Sequence, residues 1–321
     1  MSDKRLPPIR QMNAETTGAG YFLCLQKDVR TGKNGDYIAV SLQDRTGRIA
    51  AKVFEDVERL RHEFDAGEFV KVRARANRYG GQLQLILENI RRVNPEQDRA
   101  GGFREEDCIA SASRPLDEMW AELVALVGRV RDPHLRTLLA RILTRYEASL
   151  RIWPAAQVVH HAYRGGFLEH VLKIAEIGLA LAAAYHANAD LIVAGAVLHD
   201  VGKLKELDYD GVPSYSREGR LVGHITLGVL MIKEEALAIA GFPDERLTEI
   251  AHLVLSHHGS KELGSPVEPM TVESFILAAA DDLDAKINQI QQALSDDSGE
   301  GEFTAYQSRL GRMFWKGTGG A

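Results

Sequence analysis

The stretch AGAVLHDVGKL, residues 194–204, places an imidazole beside a carboxylate, His199-Asp200, at the end of an apolar run. Gly202 and Lys203 follow. The run Leu191 to Leu198 can bury a helix face, and Gly202 offers the left-handed stop that a helix end favours. Two polar groups at the end of a buried helix need partners. Burial without them costs roughly 2–7 kcal/mol for a neutral group and more for a charge. A divalent cation is one such partner. The dipeptide alone is weak evidence in a chain of 321 residues, so its weight depends on what the rest of the chain brings to it.

Histidine is concentrated around this stretch. His62 and His134 lie in the first 150 residues, and the other nine lie between His160 and His258. Such a cluster points to ligands or to acid–base chemistry. Charge is uneven too. The net −6 divides into +5 over residues 1–93 and −11 over residues 94–321. A basic part suits a polyanion and an acidic part suits metal ions, although +5 alone is also ordinary surface variation. The length allows two domains. An apolar content of 45% with 26% charged residues is that of a soluble globular protein. No run approaches the roughly 18 apolar residues of a membrane span, and residues 1–15 lack the apolar core of a signal peptide. Cys24 and Cys108 are far apart and read as free thiols, which fits a cytoplasmic protein.

Residues 1–17 read as a polar arm. From residue 18 the pattern changes to strands at 21–25, 37–42, 48–54, 69–76 and 82–87, with a helix at about 56–64. Five strands with a helix between the third and fourth is the order of an OB-fold barrel, a common platform for single-stranded nucleic acid. The domain is expected over residues 18–93. In the fourth strand, alternation sets Lys71, Arg73 and Arg75 on one face. With Tyr37, Lys52 and Tyr79 they are the candidate strand contacts, because such a groove combines a basic face with aromatics.

Residues 94–113 read as a polar, Gly-containing linker. From residue 114 to 294 the pattern is helical. His170 falls in the first turns of an amphipathic helix. Asn188 caps the helix that ends at His199-Asp200. A loop over 209–223 precedes the helix opened by His224. Another helix runs from Pro243 to His257-His258, and Thr271 caps a last one carrying Asp281 and Asp282. Residues 295–321 form a tail whose Phe303, Tyr306, Leu310, Phe314 and Trp315 suit a docking or homo-oligomer contact.

His170, His199-Asp200, His224, His257-His258 and Asp281-Asp282 thus fall at different helix ends or against apolar faces. Imidazole and carboxylate without thiolate suit Mn, Fe, Co, Ni or Zn better than a structural zinc site. The donors are too many for one tetrahedral ion, and two ions sharing a carboxylate would use them all. His252, His186, His62 and His134 read as packed or surface residues.

The spacing H…HD…H…HH…D resembles that of the HD superfamily. The segments HHAYRGGFLEH, HDVGKLKEL, GHITLG, LSHHG, GSPVEP and DLDAK resemble the YhaM-type 3′–5′ exoribonucleases, which also carry an OB-fold ahead of the HD domain. The matching pieces cover most of residues 19–294. The fold expected is therefore multidomain, an N-terminal OB-fold β-barrel followed by an all-α HD-domain phosphohydrolase. The resemblance implies that His170, His199, Asp200 and Asp281 hold one metal. It implies that His224 and His257 or His258, with Asp200 bridging, hold a second. Asp282 stands where that family has Asn, and Asp281 is taken as the ligand. Mn²⁺ is the metal implied, and nucleoside 5′-monophosphates released from a 3′ end are the products.

Two ions about 3.5–4 Å apart would activate a water for in-line attack on phosphorus. Lys203 is placed to offset charge on a phosphate oxygen, which with Asp200 makes it the catalytic candidate. His160, His161 and Arg164, just ahead of the first ligand helix, are candidates for contact with the phosphate chain or sugar. The expected partner is single-stranded RNA, with single-stranded DNA an open alternative. Two other readings stand beside this one. One is a phosphohydrolase of nucleotides or cyclic dinucleotides, which gives no reason for an OB domain. The other is a nucleic-acid-binding protein whose HD domain is regulatory.

Overall fold

The computed structural model describes residues 4–32, 35–112, 114–155, 163–209, 213–297, 299 and 301–317. It divides into two compact units, residues 1–111 with 290–321 and residues 112–289.

The first unit is a closed barrel of β1 (Thr17–Gly32), β2 (Gly35–Asp44), β3 (Gly47–Val53), β4 (Phe69–Tyr79) and β5 (Gln82–Arg92), in the order β1-β2-β3-β5-β4. β4 pairs back onto β1, and β3 runs parallel to β5 while the other pairs are antiparallel. This is the OB-fold expected from the strand order. Strict alternation on β4 drives the closure. Val70, Val72, Ala74 and Ala76 are buried, and Lys71, Arg73 and Arg75 turn outward. Phe22, Ile38, Leu42, Phe64, Leu85 and Ile90 fill the interior. The helix between β3 and β4 is short, α1 (Val57–Leu60), entered through Asp56 at φ 52°.

Described residues of the polar arm, of the stretch read as a linker and of the tail belong to this unit. In the N-terminal arm, Leu6, Ile9 and Met12 are buried in the barrel core, and Ile9 N donates to Asp44 Oδ2 at 2.7 Å. In the stretch read as a linker, Asn94 caps α2 (Pro95–Asp98), and Phe103 packs on Tyr21 and Phe69. The anchor there is Asp98, only 2% exposed. It is held by Arg91 at 2.8 Å, Lys71 at 3.4 Å and the Tyr21 hydroxyl at 3.2 Å. In the tail, Phe303 pairs with Trp315 and Gln307 with Arg312 across an antiparallel turn, and Asp297 binds Lys316 at 2.5 Å. The sequence shows these segments as polar because only a few widely spaced residues do the anchoring.

The second unit is built from α3 (Leu116–Gly128), α4 (Pro133–Leu150), α5 (Gly166–Tyr185), α6 (Ala189–Leu198), α7 (Lys203–Glu206), α8 (Arg217–Val222), α9 (His224–Leu237), α10 (Asp244–Ser256) and α11 (Val272–Asp296). α11 continues into the first unit from Ile290. A small hairpin of β6 (Leu207–Tyr209) and β7 (Pro213–Tyr215) with α8 occupies the stretch read as a loop. α6 is central. The Asn188 side chain accepts from Asp190 N and Leu191 N, and every residue from Leu191 to Leu198 is buried, as in a helix enclosed on all sides. Gly195 lets α11 approach it closely, since a Cβ there would lie 2.8 Å from Leu277 Cδ2. Among the described residues, no helix is long and apolar enough to cross a membrane.

Candidate metal centre

Helix ends bring five imidazoles together. His170 lies in the second turn of α5, His199 caps the C-terminus of α6, His224 opens α9, and His257-His258 follow α10. Asp200 stands at the centre, 2% exposed. Its Oδ2 lies 3.3 Å from His199 Nε2 and 3.8 Å from His170 Nε2. Its Oδ1 lies 3.5 Å from His224 Nε2 and 3.6 Å from His257 Nε2. Asp281 Oδ1, from α11, is 3.3 Å from His170 Nε2. The donors form two triads, His170–His199–Asp281 and His224–His257–His258, each with its ligand atoms within 4.8 Å of one another.

All five rings are turned the same way. Nδ1 meets Asp284 Oδ2 at 2.7 Å in His170, Ala196 O at 3.0 Å in His199, and Glu206 Oε1 at 2.9 Å in His224. In His257 it meets Val254 O at 2.7 Å, and in His258 Leu263 O at 3.0 Å. A neutral ring donating from Nδ1 leaves the Nε2 lone pair for a cation. Asp200 Oδ1, His224 Nε2 and His257 Nε2 are buried without a hydrogen-bond partner among the described residues. Each such group costs about 1–3 kcal/mol unless something binds it. Acceptor atoms converging on one another are satisfied by a cation, so the donor set fits a divalent metal.

The electrostatics agree. Burial opposes charge on Asp200, but Lys203 and His199 outweigh it and hold the carboxyl well below the usual range. Lys203 Nζ lies 2.5 Å from Asp200 Oδ2, and its carbonyl accepts from Trp153 Nε1 at 3.0 Å. Burial and the neighbouring His199 keep His257 neutral far below its ordinary range. His170 goes the other way. Burial opposes its charge, but hydrogen bonds to Asp281 and Asp284 outweigh that and push the ring up to about 9 before metal enters.

Two sequence readings are refined here. Gly202 has φ −63°, not the left-handed conformation of a helix stop. Glycine is needed because a Cβ would lie 1.9 Å from the His224 carbonyl oxygen, so the turn after Asp200 can press against the start of α9. Asp282 points to solvent and pairs with Lys286 at 2.6 Å, leaving Asp281 in the cluster. Arg164 lies just ahead of α5, its carbonyl accepting from Ala112 N at 2.9 Å. His160 and His161 lie outside the described residues. Of the other histidines, His252 accepts from Met270 N and His134 packs against Phe242.

The barrel sorts its six candidates into two groups. Lys52 Nζ sits 5.7 Å from the Tyr37 ring centre and 4.9 Å from that of Tyr79, and Phe54 packs on Tyr37. Tyr79 is 71% and Phe54 53% exposed. Register puts Lys52 of β3, Ile86 of β5 and Arg75 of β4 in one row across the sheet. Lys71 and Arg73 are instead bound to Asp98 and to Glu88 at 3.2 Å. Phe54, Asp284 and Glu206 were not singled out from sequence. Phe54 continues the alternation that exposes Lys52. Asp284 was within reach, one turn after Asp281 on the same helix. Nothing in the sequence marks Glu206 as buried.

The geometry defines a class, an HD-domain metalloprotein with an OB-fold barrel. The HD domain family matches residues 167–286 and the OB-fold nucleic acid binding domain family matches residues 26–93. An HD domain with this cluster binds divalent metal. The chain is 32% identical over 301 residues to the 3′–5′ exoribonuclease YhaM of Bacillus subtilis (strain 168), covering 93% of this chain and 94% of that protein. It is 34% identical over 282 residues to YhaM of Geobacillus sp. (strain WCH70), covering 87% and 85%. The chain belongs to the YhaM family of 3′–5′ exoribonucleases.

Proposed function

We propose that this protein is a metal-dependent 3′–5′ exoribonuclease that hydrolyses single-stranded RNA to nucleoside 5′-monophosphates, and that single-stranded DNA is also a substrate. The observation that carries the reading is the set of five inward-facing Nε2 atoms around Asp200, whose own Oδ1 is buried and unpartnered. In this reading His170, His199 and Asp281 hold one Mn²⁺, and His224, His257 and His258 hold another, with Asp200 shared. Two such ions lower the pKa of a water and offset phosphate charge. Asp200, whose two oxygens face the two donor sets, would help to hold both ions. The Lys203 ammonium, already at Asp200, faces the charge that grows on the phosphate oxygens. Arg164, with His160 and His161, contacts the phosphate chain.

The barrel is assigned the strand. Its exposed Phe54 and Tyr79 and the half-buried Tyr37 offer stacking faces around Lys52, with Arg75 further along the same row, which is the combination single strands require. A phosphohydrolase of free nucleotides would leave this surface without a role. Lys71 and Arg73 are assigned a smaller share of the grip, since each is paired with a carboxylate that offsets its charge. Both buried, unpaired thiols and the family's substrate suit the cytoplasm. The exposed Phe303, Met313 and Trp315 support self-association.

A gel time course with 5′-labelled single-stranded RNA tests the reading. Metal-stripped protein resupplied with Mn²⁺ should give a ladder shortening from the 3′ end, and Asp200→Ala should give none. Intact RNA with hydrolysis of nucleotides or cyclic dinucleotides would replace this reading with a small-molecule phosphohydrolase. Retained RNA binding with no hydrolysis at all would leave a binding protein with a regulatory HD domain.

A further inference from the structure

The five histidines are oriented by two different devices, and the difference follows the ends of the helices. His199 and His257 lie at helix C-termini, where the last carbonyls have no partner within the helix. Each ring takes one of these, three residues back, Ala196 O and Val254 O. His258 takes Leu263 O from the turn that follows. His170 and His224 lie at the starts of helices, where the carbonyls are committed to the helix and point away from the first turn. Each is met by a buried carboxylate from a distant part of the chain, Asp284 of α11 for His170 and Glu206 at the end of α7 for His224.

From this we infer that Asp284 and Glu206 are the positioning residues of the two metal sites, one for each, with separable effects. The inference rests on the two-site reading above. Asp284 acts on the His170–His199–Asp281 triad. From Asp281 it is one helical turn along α11, so one face of that helix presents a ligand and, next to it, the group that orients another ligand. Glu206 acts on the His224–His257–His258 triad and has a second task. Its Oε1 also accepts from the His224 backbone N–H at 2.9 Å, one of the donors the start of α9 leaves open. One oxygen thus fixes the ring and the helix that carries it. This triad has no carboxylate of its own apart from the shared Asp200, so the Glu206 carboxylate makes His224 its most electron-rich imidazole donor.

Mn²⁺ titration of the metal-free protein, followed by the electron paramagnetic resonance signal of free Mn²⁺, tests this through affinity rather than turnover. Wild type should bind two ions. Each triad is then isolated by removing one ligand of the other, with His224→Ala leaving the His170 triad and His170→Ala leaving the His224 triad. Asp284→Asn should weaken the remaining site about 10–100-fold in the His224→Ala background, and Glu206→Gln should leave that site within about twofold. In the His170→Ala background the two effects should exchange. Asp284→Glu and Glu206→Asp, which keep the charge, should restore part of the lost affinity. Circular dichroism melts of the metal-free variants separate loss of fold from loss of affinity, and if a double variant fails to fold, the single Asp284→Asn and Glu206→Gln variants must each loosen one of two resolved binding steps. One ion bound by wild type would overturn the two-site reading, and the pairing with it. Two ions with unchanged affinities in the variants, or both variants acting on the same site, would overturn the pairing alone.

Discussion

The two units handle charge in opposite ways. In the helical unit, five imidazoles and the Asp281 carboxylate close around the buried Asp200, and the unpartnered atoms there make sense with a cation bound. In the barrel, Lys52, Tyr37, Phe54 and Tyr79 stand on the surface and satisfy one another loosely. A buried polar set is demanding, because removing one member leaves the others unpaired. An exposed set is forgiving to the fold, because water replaces whatever is removed. Function at the first site should therefore be lost all at once, and at the second in increments.

The largest effect should come from Asp200→Asn. Both triads lean on this carboxylate, so RNA hydrolysis should fall by more than the roughly 10–100-fold that outer-shell partners typically cost, and Mn²⁺ stoichiometry should fall with it. A variant that kept both ions would break the contrast. Tyr79→Ala or Phe54→Ala should weaken single-stranded RNA binding by about 1–3 kcal/mol per base unstacked, read by fluorescence anisotropy. Chemical denaturation should place the stability of these variants within about 0.5 kcal/mol of wild type.

Asp98, like Asp44, is a buried carboxylate of the barrel unit, and it sharpens the comparison. The Arg91 guanidinium and the Asn94 N–H hold its carboxyl well below the usual range. A depressed carboxyl contributes stability above its unfolded value near 3.9 and loses it as pH falls further. Asp98→Asn should therefore destabilise the barrel by about 1–3 kcal/mol at neutral pH, with the difference shrinking in melts taken below about pH 4. The smallest effect expected is that of Lys52→Gln, which should lower the salt slope of RNA binding by about 0.7, the value for one phosphate contact on a single strand.

The metal site should also show its buried charge through pH. In the metal-free protein His170 is raised to about 9 from an ordinary 6.5. It favours the metal-free fold fully below about 6.5, and that contribution is lost as pH rises through about 9. A metal must displace this proton, so Mn²⁺ affinity should rise with pH across that window. Calorimetry in buffers of different ionisation enthalpy should detect close to one proton released from this ring near pH 7.5.

Periodicity made much of this legible. Alternation on β4 and the strand order gave the barrel, and the apolar run ending in His199-Asp200 gave the buried helix at the centre of the second unit. The cluster of imidazoles and carboxylates was readable because histidine is chemically distinctive and is concentrated at these helix ends. What escaped was set by single contacts between distant positions. Leu6, Ile9 and Met12 recur every third residue, but over only three positions interrupted by Pro7-Pro8, and Asp98 is a single acidic residue in a polar stretch, so neither makes a run long enough to read as an element. Glu206 looks like any solvated glutamate until the chain returns to it with His224 eighteen residues later. The pairing of Lys71 with Asp98 likewise depends on a segment without strand or helix periodicity.

Anomalous diffraction from crystals of the Mn²⁺-loaded protein, collected near the manganese edge, tests the central claim most directly. The account predicts two anomalous peaks flanking Asp200, one bound by His170, His199 and Asp281, the other by His224 and the His257-His258 pair. A single peak, or peaks that leave Asp200 Oδ1 and the His224 and His257 Nε2 atoms without a cation, would contradict it.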